Sequence, residues 1–407
     1  MDIVAYVERS SGTGFSTRPF NSLDALVFSQ LAYLPLEMAG AGQRAVPIQE
    51  LPETLNYMEL QTQPPQFMTR HHLRLLRAAA GSRRFGPVTL SRFVDEVDAQ
   101  AVTQFSAVCA ALPRGLTVVS FRGTDLSLAG WQENLRLSYD SPVPAQRRAV
   151  DYLRQRARES ADRLALCGHS KGGNLAVYAA AFCGDDIQQR ITRVFAFDAP
   201  GQHEGVLSTP EYEAIRQRIR SFLPERAVVG VLLAQTRPYT VVACRAFGLL
   251  QHNPYNWLIE GGAFVKRKSL SAYSLILDKS LDAWVAAMTR DERRLLTEAI
   301  FSVLQSPGWD SFDELSRDWP GSLKTMQQAA DKLPKHVRQA MRRSLQLLLS
   351  GAAEAIAGDV KGRAAGLIRG LQQRLRDILS DQEDDGQSSE TPGAHDAPSG
   401  PRRQNGA

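Results

Sequence analysis

A serine between two glycines stands in the stretch LALCGHSKGGNLAVYAA at residues 164–180, where GHSKG matches the pattern G-x-S-x-G. Apolar residues precede it, as at the end of a buried strand, and the residues after it are typical of a helix. A strand–turn–helix of this kind strains the serine backbone and pushes the hydroxyl out of the sheet. We therefore predict a nucleophilic Ser170, with the amide of Lys171 at a helix N-terminus as an oxyanion donor. A glycine-rich turn without chemistry is the alternative.

A nucleophilic serine needs a base, and the sequence has seven histidines. Three precede the serine or belong to its turn, one lies in a basic helical segment and one lies near the C-terminus, which leaves His203 and His252. Because His252 follows the last predicted strand by eight residues, its loop can return over Ser170. His203 comes too early for the usual order of Ser, Asp or Glu, then His. We predict that His252 is the base, and a surface-loop histidine is the alternative.

Two carboxylates could orient that histidine. Glu225 follows the predicted strand at 220–223, and Asp198 ends the strand at 193–197. Both lie at the carboxyl ends of strands, where parallel sheets place their sites. Counting strands favours Glu225. Asp198 could instead cap the bend of the following Ala-Pro-Gly, and Glu225 could be a solvated loop charge.

The second oxyanion donor should come from the turn after the third predicted strand. The sequence there is FRGTD at residues 121–125, so Thr124 offers both an amide and a hydroxyl. Arg122 and Asp125 are better placed to pair with each other and brace the turn than to take part in chemistry.

The elements that position these residues alternate along the chain. Helical spacing is seen at 21–37, 68–80 and 145–160, and strand-like runs lie at 88–97, 104–112, 116–121, 164–167, 193–197, 220–223 and 239–244. Strands that alternate with helices or long connections favour a mostly parallel sheet covered by helices on both faces. We expect this α/β domain to occupy residues 1–275.

The remaining residues differ in composition. Residues 276–380 are rich in Ala, Leu and Arg and predict a helical region, whereas 381–407 contain no apolar residue larger than alanine and should be disordered. An apolar stripe with arginines over 363–379 suits peripheral contact with an anionic membrane, and packing against another helix is the alternative. Glycines at every fourth position from Gly358 to Gly370 fit packing better.

Composition excludes several other classes of protein. The net charge of +5 is not concentrated in a basic stripe with aromatic residues, so we expect no nucleic-acid partner. The four cysteines are widely spaced without a CxxC pair, which predicts reduced thiols and no metal site. The first residues lack a secretory signal, and no apolar run reaches the ~20 residues needed to span a bilayer. A cytoplasmic location is expected, with peripheral membrane contact or non-standard export as alternatives.

Four motifs, FRGTD, GHSKGG, FDAPG and QHNPYNW, resemble those of the bacterial Mbeg-like relatives of the class 3 (fungal-type) lipases. The resemblance covers residues 1 to about 270. It implies an α/β-hydrolase fold, esterase or lipase activity, and roles for Ser170, His252 and Thr124 as nucleophile, base and oxyanion donor. Two departures stand out: Lys171 replaces an apolar residue, and Glu225 replaces an aspartate.

The chemistry that these residues predict is cleavage of a small-molecule or lipid ester through a covalent acyl-enzyme. This reaction requires no metal and no organic cofactor. A hydrolase-fold module that binds without catalysis is the alternative, because a fold does not fix a function. The sequence does not indicate an acyl chain length or an oligomeric state.

Overall fold

A nine-stranded sheet forms the centre of the molecule in the computed structural model, which describes residues 1–55, 67–125, 127–235, 238–246, 248–311, 319–340 and 343. Its strand order is β1-β2-β3-β4-β5-β6-β7-β8-β11. The pairs from β1 to β4 are antiparallel, the pairs from β4 to β8 are parallel, and β11 is antiparallel to β8. The strands are β1 (Val46–Pro47), β2 (Thr89–Asp98), β3 (Thr103–Leu112), β4 (Leu116–Phe121), β5 (Arg163–His169), β6 (Ile191–Phe197), β7 (Ile219–Pro224), β8 (Tyr239–Val242), β9 (Ile259–Glu260), β10 (Ala263–Phe264) and β11 (Lys266–Arg267), of which β9 and β10 pair separately. The predicted mostly parallel α/β sheet is therefore confirmed.

Helices cover both faces of this sheet. They are α1 (Ile3–Arg9), α2 (Ser22–Leu31), α3 (Phe67–Ala80), α4 (Leu128–Arg136), α5 (Pro144–Glu159), α6 (Lys171–Phe182), α7 (Asp185–Arg190), α8 (Glu204–Leu207), α9 (Pro210–Arg216), α10 (Ala272–Ala286), α11 (Arg290–Leu304) and α12 (Trp319–Lys332). One apolar core joins α1, α2 and α3 to the sheet, and a second joins α5, α6 and α9 to the opposite face. Because both faces are covered, central strands such as β4 read as continuous apolar runs.

The helical region after residue 275 packs on the α/β domain. Residues Met1–Ala355 group into one compact unit, and the predicted division at 275 and 276 falls inside it. Leu128 of α4 forms an apolar cluster with Phe301 of α11 and Met326 of α12. The Arg290 guanidinium donates to the carbonyl of Tyr139 at 2.9 Å. These contacts attach α11 to the segment that follows α4.

The predicted helical region after residue 275 is interrupted between α10 and α11. Helix α10 ends at Ala286, and α11 begins after Thr289, whose hydroxyl accepts from the Glu292 amide while the Glu292 carboxylate accepts from the Thr289 amide. This capping box starts a new helix where apolar spacing alone suggests a continuous one. The arginine-bearing stripe at 363–379 and the predicted tail at 381–407 lie outside the described residues. Within the described part of the chain, no helix is both long and apolar enough to cross a bilayer.

A buried ion pair ties the N-terminal helices together. The Arg84 guanidinium lies 2.8 and 2.5 Å from the two carboxylate oxygens of Asp24, and neither side chain is exposed. The Tyr6 hydroxyl donates to the same carboxylate at 2.8 Å. Because a buried charge without its partner is strongly unfavourable, this pair should be sensitive to the loss of either member.

We predict that Asp24→Asn lowers the free energy of unfolding by about 3–5 kcal/mol, because it leaves the Arg84 charge buried without a carboxylate. Urea denaturation followed by circular dichroism measures the change. The matched control is Glu213→Gln, which breaks an exposed pair with Arg216 and should change stability by less than about 1 kcal/mol. Equal losses of unfolding free energy in Asp24→Asn and Glu213→Gln would contradict the prediction that the buried pair is the more sensitive of the two.

Candidate active site

Ser170 occupies the turn between β5 and α6. Its backbone has φ 58° and ψ −135°, a conformation that non-glycine residues rarely adopt. Close packing maintains this turn: a Cβ placed on Gly172 would lie 2.1 Å from the carbonyl oxygen of Phe121 at the end of β4. The structure therefore contains the strand–turn–helix geometry that the motif predicts, with a strained serine at its apex.

His252 lies in a short 3₁₀ segment, Gly248–His252, and its ring nitrogen Nδ1 is 2.7 Å from Oδ2 of Asp198. Asp198 follows β6 directly and is fully buried. Its other carboxylate oxygen, Oδ1, accepts from the Gly230 amide at 2.9 Å. With both carboxylate oxygens engaged, Asp198 holds the His252 ring in one orientation and leaves Nε2 as the nitrogen that can accept a proton.

The preference for Glu225 as the orienting acid is not supported by its position. Glu225 does follow β7, but its carboxylate lies 3.1 Å from Nε of Arg267 on β11. The structure brings Asp198, and not Glu225, to His252. Counting strands favoured the carboxylate after β7, whereas the carboxylate that contacts His252 lies in the turn after β6.

The predicted oxyanion turn lies beside Ser170. A Cβ on Gly123 would lie 2.9 Å from the Cβ of Ser170, which shows how closely the two turns approach. Oγ1 of Thr124 accepts a 2.7 Å hydrogen bond from Nδ2 of Asn134, so the Thr124 hydroxyl hydrogen is left to donate elsewhere. Lys171 is the first residue of α6, and its amide therefore has no carbonyl one turn earlier in the helix to bind.

Arg122 braces this turn, as the sequence predicts. Its guanidinium forms two hydrogen bonds with Asp95 of β2, at 2.6 and 2.7 Å, and one with Asp125 at 3.2 Å. Burial raises the pKa of Asp95, and the neighbouring Arg122 charge opposes that shift. A bidentate pair of this kind fixes the geometry of the loop that carries Thr124.

A chain of uncharged polar groups lies behind the site. Nε2 of His169 donates to the carbonyl of His252 at 2.8 Å, and Nδ1 of His169 accepts from the Tyr33 hydroxyl at 3.1 Å. The Tyr33 ring stacks on His72 with the ring planes 7° apart. Burial, reinforced by the His252 charge, holds the pKa of His169 well below its usual range, so His169 is a neutral donor and acceptor. It fixes the backbone of the residue proposed as the base.

Ser170, Thr124 and His252 line a cavity of about 1510 Å³. Asp198, in contact with His252, is not among the lining residues. Helix α10 also lines the cavity, through residues that include Leu281, Trp284 and Val285. Apolar residues around the 3₁₀ turn after β7, Val229 and Val231 among them, add to the lining.

His203 also lines the cavity, but its Nδ1 accepts from the Gly205 amide at 3.2 Å. Ligand cavities are typically 300–1,000 Å³, so this one is large enough for an extended substrate.

The sheet with its parallel centre, the strained serine turn and the contact of His252 with buried Asp198 define an α/β-hydrolase-like fold. The chain belongs to the Mbeg1-like family, whose profile matches residues 79–302. No curated protein matches the sequence.

Solved structures of lipases are similar to parts of the chain. A native Rhizomucor miehei lipase propeptide complex is 12% identical with a TM-score of 0.33, covering 55% of this chain and 68% of its own. The M37 lipase is 13% identical with a TM-score of 0.33, covering 64% of this chain and 80% of its own. A fungal lipase–inhibitor complex is 13% identical with a TM-score of 0.32, covering 55% and 80%. We draw nothing about activity from likeness at this level.

Sequence reasoning missed Asn134, Tyr33 and Glu133. Asn134 and Glu133 lie on α4, which the sequence did not predict as a helix because its apolar residues are few. Tyr33 lies within the predicted helical stretch 21–37, where it reads as part of the apolar face. A polar or aromatic residue near the end of an N-terminal helix carries no local signal that it reaches a site more than a hundred residues away.

We predict that Asp198→Asn lowers kcat by about 10⁴-fold, because an amide fixes the wrong tautomer of the neighbouring histidine. Glu225→Gln, the matched control, should leave kcat within a few-fold of the wild type. Ester hydrolysis by purified variants, with folding checked by circular dichroism, provides the comparison. An inactive, folded Glu225→Gln variant together with an active Asp198→Asn variant would reverse the assignment.

A pH effect on stability follows from His72. Burial, with a smaller contribution from His71, lowers the pKa of His72 to about 3. The unfolded chain therefore binds more protons than the folded chain as the pH falls below about 6.5, and stability decreases by about 1.4 kcal/mol per pH unit from this residue. Urea unfolding at pH 8 and pH 5 should show a smaller loss for His72→Gln than for the wild type. Equal losses of unfolding free energy between pH 8 and pH 5 in the wild type and in His72→Gln would contradict this role of His72.

Proposed function

We propose that this protein is a serine hydrolase that cleaves carboxylic esters through an acyl-enzyme intermediate. The observation that carries the proposal is the 2.7 Å contact between Nδ1 of His252 and buried Asp198, on the cavity wall that also contains the strained Ser170. A buried carboxylate oriented on a histidine beside a serine turn is the arrangement that activates a serine hydroxyl.

The first step is attack on the ester carbonyl. Nε2 of His252 takes the proton of the Ser170 hydroxyl as Oγ forms a bond to the carbonyl carbon. Asp198 remains ionised and stabilises the imidazolium that forms. The carbonyl oxygen becomes an oxyanion, for which the Thr124 hydroxyl and the Lys171 amide are the donors.

The second half of the reaction regenerates the enzyme. Collapse of the tetrahedral intermediate breaks the bond to the alcohol, which leaves with the proton from His252. A water molecule then attacks the acyl carbon while His252 takes one of its protons. The bond between Oγ and the acyl carbon breaks, His252 returns the proton to Oγ of Ser170, and the acid product leaves. The chemistry uses side chains and amides of this chain throughout.

The character of the cavity supports an ester with an apolar acyl part. Leu281 and Val285 lie one helical turn apart on α10, and both line the cavity that Ser170 also lines. Met288 and Leu270 contribute further apolar surface. An alkyl chain on this wall would be removed from water at a gain of about 0.8 kcal/mol for each buried CH₂ group.

We predict that Ser170→Ala abolishes labelling by a fluorophosphonate probe and ester hydrolysis, because the phosphorus centre reacts with an activated serine. The melting temperature should change little, since the turn geometry persists. Gel fluorescence of the purified proteins measures labelling. Ser138→Ala is the control, because Ser138 also lines the cavity but has no base beside it in the scheme. Labelling that persists in Ser170→Ala would contradict Ser170 as the nucleophile, and absence of labelling in the wild type would favour a non-catalytic module.

We predict that Val285→Trp shortens the preferred acyl chain. The larger side chain occupies volume in the cavity that Ser170 also lines, so kcat/KM for nitrophenyl esters should fall more for long acyl chains than for acetate. Leu275→Trp is the matched control, because Leu275 is exposed on the same helix, outside the cavity lining. An unchanged chain-length profile in Val285→Trp would argue against this wall as the acyl site.

A further inference from the structure

The side chain of Lys171 is buried, although the residue follows the nucleophile on a turn that borders the cavity. Neither it nor the side chain of Glu133 is exposed, and Nζ of Lys171 lies 2.9 Å from Oε2 of Glu133. Nζ also donates to the carbonyl of Gln104 on β3 at 2.6 Å. The lysine therefore points away from the cavity and into the contact between α6, α4 and the sheet.

This ion pair is not readily explained by stability. Burial lowers the pKa of Lys171, against the opposing influence of the Glu133 charge, so desolvation outweighs attraction for this ammonium group. Replacement of buried ion pairs by well-packed apolar residues is often neutral or stabilising. The pair therefore calls for a role beyond holding the fold together.

The position of the pair connects two parts of the site. The amide of Lys171 is one proposed oxyanion donor. Glu133 precedes Asn134, whose side chain donates to the hydroxyl oxygen of the other proposed donor, Thr124, at 2.7 Å. The buried salt bridge thus joins Lys171, whose amide is the first proposed donor, to a turn of α4. That turn also contains Asn134, which orients the second proposed donor, Thr124.

Further hydrogen bonds fix the Glu133 carboxylate in this position. Its Oε1 accepts from the Ala145 amide at the start of α5 at 2.8 Å. Its Oε2 accepts from the Gln104 amide at 3.2 Å as well as from Lys171. The carboxylate therefore anchors α4 to β3, α5 and α6 together, and a shift of α4 relative to the serine turn would break several of these bonds.

We propose that Lys171 and Glu133 are positioning residues that set the two oxyanion donors, the Lys171 amide and the Thr124 hydroxyl, at a fixed separation. This inference rests on the proposed ester hydrolysis. Loss of the pair should lower transition-state stabilisation more than substrate binding, because the donors meet a full negative charge only in the transition state.

The test combines Lys171→Met with Glu133→Gln, which removes both charges and retains a carbonyl oxygen to accept from the Ala145 amide. We expect kcat to fall by about 10- to 100-fold, with KM within a few-fold of the wild type. Each kcat is expressed per active site, and active sites are counted by the extent of fluorophosphonate labelling. Glu133→Asp keeps the charge and provides a second, milder variant. It should show a smaller kcat loss in the same direction.

Two controls separate positioning from general destabilisation. Asp24→Asn breaks another fully buried ion pair, which joins α2 to the segment after α3, and should lower stability while leaving kcat per titrated site unchanged. Thr124→Val removes the hydroxyl donor, and in that background the Lys171→Met and Glu133→Gln pair should cost clearly less kcat than in the wild type.

Three results are decisive. Unchanged kcat per titrated site in the folded Lys171 and Glu133 variants, with normal wild-type turnover, overturns the inference alone. If the kcat loss from the Lys171 and Glu133 substitutions is the same in the Thr124→Val background as in the wild type, the inference is also overturned. The ion pair would then act independently of the Thr124 donor. Absence of Ser170-dependent turnover in the wild type overturns the proposed function, and this inference with it.

Discussion

The strained backbone of Ser170 is the constraint on which the rest of the site depends. A positive φ at a serine is unfavourable by about 1–3 kcal/mol and persists only where the surroundings determine it. Here the end of β4 crosses α6 so closely that Gly172 has no room for a Cβ beside the carbonyl oxygen of Phe121. The same crossing brings the Gly123 turn against Ser170. Tight backbone packing thus sets the positions of both the proposed nucleophile and the neighbouring turn that carries Thr124.

Charge is distributed around this turn in two different ways. The side facing the His252 backbone is neutral, because burial keeps His169 and His72 unprotonated. The side facing α4 is ionic, with the Lys171–Glu133 pair fully buried. Neutral hydrogen bonds place the base without adding a charge that would oppose its protonation, whereas the ion pair joins elements that come from distant parts of the chain.

Local patterns in the sequence predicted the elements better than the contacts between them. Strand β4 and the Ser170 turn were predictable, because an apolar run and a glycine-flanked serine are local features. The choice between Asp198 and Glu225 was not, because it depends on which turn reaches His252, and strand counting does not measure that distance. The contact of Asn134 with Thr124 and the cavity wall from α10 are likewise tertiary. Helical spacing predicts a helix but does not identify the surface against which it packs.

We propose that Ser170, His252, Asp198 and the two oxyanion donors act together on one ester carbonyl group. The most direct measurement is a crystal structure of the protein inactivated by an alkyl phosphonate, which mimics the tetrahedral intermediate. We expect phosphorus bonded to Oγ of Ser170, with a phosphonyl oxygen about 2.7–3.1 Å from both the Thr124 hydroxyl and the Lys171 amide. A phosphonate on another residue, or a phosphonyl oxygen directed away from those donors, would contradict the proposed nucleophile and oxyanion donors.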